Sequence, residues 1–116
     1  MYIPLLLRPY DPTDTVHRLL FQLVRLKLAK RTGEALPTQL SLLETRREML
    51  WQFLCISLQQ RFELSEDLAL NLVGQLANQI LHNPGQVAML RQHISLAEAL
   101  DQGEKLHEKL HDKIKA

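Results

Sequence analysis

The hydrophobic residues of this chain recur at helical spacing in four blocks, separated by short stretches that hold most of the Gly and Pro. The longest block free of both is Leu40–Phe62, LSLLETRREMLWQFLCISLQQRF. At about 1.5 Å rise per residue it makes a rod of about 33 Å. On a wheel of about 100° per residue, Ser41, Thr45, Glu48, Gln52 and Gln59 share one narrow arc. Met49, Leu50, Trp51, Phe53, Leu54, Ile56 and Leu58 spread over most of the remainder. A stripe that wide is more than one neighbour covers, so the pattern predicts a central helix over 40–62 touched from several sides.

Residues 1–10 read as an extended arm, because Pro4 and Pro9 each bias the preceding residue away from helix. Ile3, Leu5, Leu6 and Leu7 make this arm apolar enough to lie in a groove, of its own domain in the favoured reading or else of a partner. A helix is expected over 11–32, with Asp11 as cap, Pro12 in the first turn and Asp14 at the positive end of the dipole. It stops at Gly33, behind Lys30 and Arg31. Its polar positions reduce to a strip of Arg18, Gln22 and Arg25. Ser41 and Glu44 have capping-box spacing at the head of the second helix, although Pro37 could start it one turn earlier. A third helix over 66–82 is capped by Ser65 and presents Leu68, Ala69, Leu72, Val73, Leu76 and Ile80 to the core. Gly74 sits inside that helix at a cost of about 1 kcal/mol against Ala, which suggests close approach of a neighbouring backbone. Asn83-Pro84-Gly85 is a turn, and the fourth helix runs over 86–114. Ser95 and Glu98 repeat the capping-box spacing, so this helix is expected to break or bend there, with Gly103 a second weak point. The tail EKLHEKLHDKIK repeats every four residues and aligns Leu106, Leu110 and Ile114 in one thin stripe.

Composition supports helix throughout. There are 26 Leu, against 14 Val, Ile and Thr together. Leu loses little rotamer freedom in a helix, while β-branched side chains are stiff at the first torsion. A chain of 116 residues can bury a real core as one domain without disulfides. The single cysteine, Cys55, lies on the apolar side of its helix, where a buried, inert thiol is expected. The first ten residues have too short an apolar run for a signal peptide, and no stretch approaches the ~18 apolar residues of a membrane span. A cytoplasmic protein is the expectation.

The net charge of +1 provides no global field for nucleic acid or membranes. The charge is uneven, however. Residues 1–33 carry six basic and two acidic groups, whereas residues 34–70 carry three basic and six acidic ones. Complementary faces that meet within one domain or across a dimer account for this. Arg8, Arg18, Arg25, Lys27, Lys30 and Arg31 could instead hold phosphates. Lys27 and Lys30 nevertheless point away from Arg18 and Arg25, so no single basic stripe forms. Residues 65–80 faintly suggest a helix-turn-helix, but that segment has no Lys or Arg with which to grip DNA.

His107-Glu108-Lys109-Leu110-His111 matches H-E-x-x-H, the spacing that lets two imidazoles on one helix face share a zinc ion. The match falls out of the four-residue repeat, Lys109 places a cation beside the would-be metal, and a polar terminus offers no walls against water. No metal site, cofactor or catalytic residue is assigned.

The expectation is an all-α, single-domain bundle of about four helices with an extended N-terminal segment. Its function is expected to be non-enzymatic: a small adaptor, chaperone or assembly subunit that binds itself or another protein through a helical surface. Phe21, Met49, Trp51 and Phe53 are the candidate interface residues, because aromatic anchors commonly carry such contacts. The alternative is a small nucleic-acid-binding regulator that uses the basic first helix.

Overall fold

The computed structural model of the chain describes residues 10, 11 and 13–101, and among these there is no strand. Four helices succeed one another: α1 Thr15–Thr32, α2 Leu40–Phe62, α3 Glu66–Leu81 and α4 Pro84–His93. A 3-10 turn over Pro37–Gln39 leads into α2, and residues 96–101 are again helical. The fold is an all-α bundle, as the periodicity predicts. The apolar arm before Tyr10, the residue Pro12, the weak point Gly103, the tail stripe Leu106-Leu110-Ile114 and the pair His107 and His111 lie outside the described residues.

The helix ends follow local chemistry, with three corrections to the sequence reading. Asp14, not Asp11, caps α1: its carboxylate accepts the His17 amide at 3.1 Å. Asp11 closes a turn one step earlier, accepting the Thr13 amide at 2.9 Å. The helix therefore begins at Thr15. The expected capping box of Ser41 and Glu44 does not form. The Gln39 side chain instead accepts the Leu36 amide at 3.0 Å, so capping belongs to the 3-10 turn that starts at Pro37. Ser41 is already inside the helix, and Glu44 is occupied by Lys30 and Arg47. The other signals hold. Gly33 ends α1 in the left-handed region at φ 69°. Ser65 and Asn83 cap α3 and α4, accepting the amides of Leu68 and Gln86. The start of α4 needs a correction, however: Pro84 and Gly85, read as part of a turn before a helix at 86, form its first turn, because Pro suits the first helical position behind the Asn83 cap. The fourth helix breaks where expected, with Ile94 extended and Ser95 accepting the Glu98 amide at 3.1 Å.

The helix that organises the core is α1, not the 40–62 helix. Twelve of its 18 residues are buried, against five of 23 in α2. α1 packs on α2, α3 and α4, and Leu19, Leu20, Phe21, Leu23 and Leu26 are all shut away from solvent. Each such side chain contributes roughly 1.5–3 kcal/mol of burial. α2 gives the core one stripe only: Leu43, Leu50, Leu54, Cys55 and Leu58. Both helices have broad apolar arcs, so breadth alone did not show which would be enclosed. The difference lies in the polar strip. Gln22 and Arg25 are buried along with their apolar neighbours, because Arg25 finds partners inside the bundle.

α3 presents Ala69, Val73, Leu76, Ala77 and Ile80 inward. Leu68, expected in that set, is exposed, and Leu72 is half-buried. The buried arc of α3 is centred between Val73 and Ile80, which leaves Leu68 outside it and Leu72 at its margin. Gly74 does not admit a neighbouring backbone. A Cβ built there meets only the tip of the Trp51 indole, at 4.0 Å, an ordinary contact.

Candidate interaction site

The charge imbalance along the chain resolves within the bundle. Arg25 and Lys30 from the basic segment pair with Glu34 and Glu44 from the acidic one. Asp14, at the head of α1, takes Arg61 from the end of α2 at 3.0 and 3.1 Å. Arg25 does most. Its two terminal nitrogens hold both Glu34 oxygens, at 2.8 and 2.6 Å, and its Nε donates to the Ile94 carbonyl at 2.7 Å. That carbonyl sits at the α4 break, so α1 fastens the corner where the fourth helix turns. The Arg25 hydrogen bonds hold the Glu34 carboxyl below its usual range. Lys30 and then Arg47 do the same for Glu44.

These pairings also decide how the basic first helix is used. Arg25 is buried and Lys30 is paired. Lys27 lies over the Trp51 ring, 5.0 Å from its centroid, and burial followed by the nearby Arg47 charge lowers its pKa. Arg31 is exposed and Arg18 half-buried, making an interaction of its own. The cations point in several directions and do not line one face.

Of the four candidate interface residues, Phe21 belongs to the core. It is fully buried, stacked on Tyr10 at 4.9 Å between ring centroids and tilted against His17 at 4.5 Å. His17, also buried, accepts the Asp11 amide on Nδ1 at 2.9 Å, which folds residues 10 and 11 back onto α1. Trp51 is half-buried on the core side of α2, between Lys27 and Gly74. It forms one wall of a small groove of about 320 Å³ that Arg47, Glu48, Gln52 and Leu70 complete. Met49 and Phe53 lie elsewhere, on the side of α2 turned from Leu43, Leu50, Leu54 and Leu58. Both are half-buried, and Phe53 packs against the core margin.

Two residues outside the expected set join them. Leu42 and Ile56 are 41% and 44% exposed. Leu42, Met49 and Ile56 recur every seven residues and Phe53 follows Met49 by four, the repeat of a helix-pairing seam. The signal was present in the sequence, but the whole circumference of this helix is rich in apolar residues, and the seven-residue spacing is hidden until the core-facing stripe is subtracted. Thr45, Gln52, Ser57 and Gln60 flank the seam, with Arg46 the one charge within it.

A second concave feature lies between α1, α4 and residues 96–101, a cleft of about 560 Å³. Arg18 and Gln22 come from α1, Met89 and His93 from α4, and Glu98 from the last helical segment; Tyr10 closes one end. The Tyr10 hydroxyl has its pKa raised by burial, with the Arg18 charge opposing and the Glu98 charge assisting. Cys55 is buried away from this cleft, and burial followed by the Glu66 charge pushes its thiol up, as suits a structural thiol.

Among the described residues no three His, Cys, Asp or Glu side chains gather where they could hold a metal ion. No described helix is long and apolar enough to cross a membrane. Comparisons with family models, curated proteins and solved structures return no match.

Proposed function

We propose that this chain is a non-enzymatic helical interaction protein, a small adaptor, chaperone or assembly subunit, that self-associates through the outer face of α2. The observation that carries this reading is the seam Leu42-Met49-Phe53-Ile56, whose end residues remain exposed although the same helix has a separate stripe in the core. Leu42 and Ile56 stand seven residues either side of Met49. Two copies of α2 crossing antiparallel at Met49 therefore set Leu42 of one against Ile56 of the other, the self-complementary arrangement that a two-fold interface needs. The nearly uncharged flanks favour this pairing, since no block of like charges is brought together. A cytoplasmic setting belongs to this reading, supported by a lone buried thiol that needs no oxidising compartment.

Leu42→Asp and Ile56→Asp, separately and together, test it by sedimentation velocity. Both sites are exposed in the single chain, so at concentrations low enough for the parent also to be monomeric the unfolding midpoints should shift by no more than about 0.5 kcal/mol equivalent. Association should weaken more than about tenfold, because an unpaired carboxylate would be enclosed in an apolar contact. Variants that associate as the parent does would remove this face from consideration.

A further inference from the structure

Tyr10, Asp11 and His17 meet at the head of α1 in an arrangement that depends on one nitrogen lone pair. A backbone N–H can only donate, so the 2.9 Å contact from the Asp11 amide to His17 Nδ1 places a lone pair on that nitrogen and the ring proton on Nε2. The imidazole is fully buried, tilted against Phe21 at 4.5 Å and stacked on Tyr10 at 6.0 Å between ring centroids. Tyr10 in turn stacks on Phe21 at 4.9 Å. This hydrogen bond and these stacks hold residues 10 and 11 against the helix, at the end of the cleft that Tyr10 closes.

We propose that His17 is a proton-operated latch: in mildly acid solution Nδ1 takes up a proton, the Asp11 amide loses its acceptor, and Tyr10 leaves Phe21 and opens its end of the cleft. Protonation sets one N–H against another, so the bond is not weakened but abolished. The faces of the Tyr10 and Phe21 rings attract a cation, which softens the cost of the charge. They supply no acceptor, however, and the enclosed ring is kept from water. The charged and titratable groups round the latch are Tyr10, Asp11 and Asp14 before the helix, Arg18 beside His17, Arg61 at the end of α2 and Glu98 from the last helical segment. The carboxylates of Asp11 and Asp14 favour the imidazolium, which brings protonation within reach of mildly acid pH. Both are already engaged, Asp14 with the His17 amide and Arg61, Asp11 with the Thr13 amide and hydroxyl.

The closed form gives up a hydrogen bond to bind the proton and the open form does not. The open form therefore binds it more tightly, and falling pH favours release. The effect is absent well above the ordinary histidine value of about 6.5 and grows below it. Weakening of the Glu34 and Glu44 pairs sets in only below 4.5, so the two acid effects are separable. The latch is also independent of self-association, since its contacts lie within one chain.

NMR of the ¹⁵N-labelled chain, titrated from about pH 7.5 to about pH 5.5, tests it. At the upper end His17 should carry its proton on Nε2. As His17 titrates, the Asp11 amide should lose hydrogen-exchange protection by at least about tenfold and the Tyr10 ring signals should move with the same midpoint, while the amides of α1 to α3 stay protected. His17→Asn offers a side-chain oxygen where Nδ1 stood and does not titrate, so protection of Asp11 in this variant should change by less than about twofold over the same range. A proton on Nδ1 at the upper end would overturn the latch. So would titration of His17 without change at Asp11 and Tyr10, a His17 that stays neutral throughout, or release together with the whole fold. The parent titration decides these even if His17→Asn does not fold. The same loss at Asp11 in a folded His17→Asn would assign the release to another group.

Discussion

At the residue scale, two backbone positions depart from what their side chains prefer. Glu63 ends α2 in the left-handed region at φ 55°, where a Cβ is disfavoured. Glycine has no such penalty, so Glu63→Gly should stabilise the fold by up to about 1 kcal/mol, measured as a raised urea midpoint. Gly74 is the reverse case. It occupies a helix interior with room for a methyl group beside Trp51. Gly74→Ala should stabilise by about 1 kcal/mol, and destabilisation would show that the indole cannot tolerate the contact. The sequence showed Gly74 to be anomalous but not why. An interior glycine signals close approach without saying whether backbone or side chain approaches. The caps at Ser65 and Asn83 were legible because a side chain and an amide three residues away suffice to make them. The exchange of Asp11 for Asp14 was not, since two aspartates three apart offer the same local chemistry. The choice falls to a distant partner, Arg61, which fixes Asp14 from the far end of α2.

At the scale of elements, the fold depends on how α1 uses Arg25. Periodicity places Arg25 with Arg18 and Gln22 on a polar strip, which implies solvent. The structure buries it, because Glu34 lies just past the Gly33 stop and the Ile94 carbonyl is released by the α4 break. The Ile94 carbonyl cannot be read from the local pattern around Arg25, since it is 69 residues away. Arg25→Met keeps the apolar stem but strands that carbonyl. It should cost about 1–3 kcal/mol and speed amide exchange over 94–101 ahead of α2 and α3. Acid should loosen the same corner. Glu34 and Glu44 have folded pKa values below the ordinary 4.5, held down by hydrogen bonds from Arg25 and from Lys30. Their contribution is complete above the unfolded value and is lost as pH falls through the lower folded values. Urea midpoints should therefore decline as pH falls below the ordinary 4.5, and less steeply in Glu34→Gln. Both carboxylates are partly exposed, so the decline should be modest and should shrink in high salt.

At the scale of the whole molecule, class and surface were legible to different degrees. Leu abundance and helical spacing were enough for an all-α bundle, because they follow from the chain's own propensities. Which helix becomes the centre was not, because two helices with equally broad apolar arcs compete and long-range pairing decides. The candidate surface follows from that decision. Once α1 takes the middle, α2 is left with more apolar surface than its neighbours cover, and Leu42 and Ile56 emerge on the outside. Phe21 and Trp51, chosen as aromatic anchors, are drawn into or against the core for the same reason.

The central claim is that this outer face meets a second copy of the chain. Light scattering on the parent protein across a dilution series, at low and high salt, tests it most directly. We expect a mass near twice the 13.4 kDa of one chain, nearly indifferent to salt, as an apolar contact requires. A mass of one chain at every concentration would contradict it, and would leave the α2 seam without the partner assigned to it here.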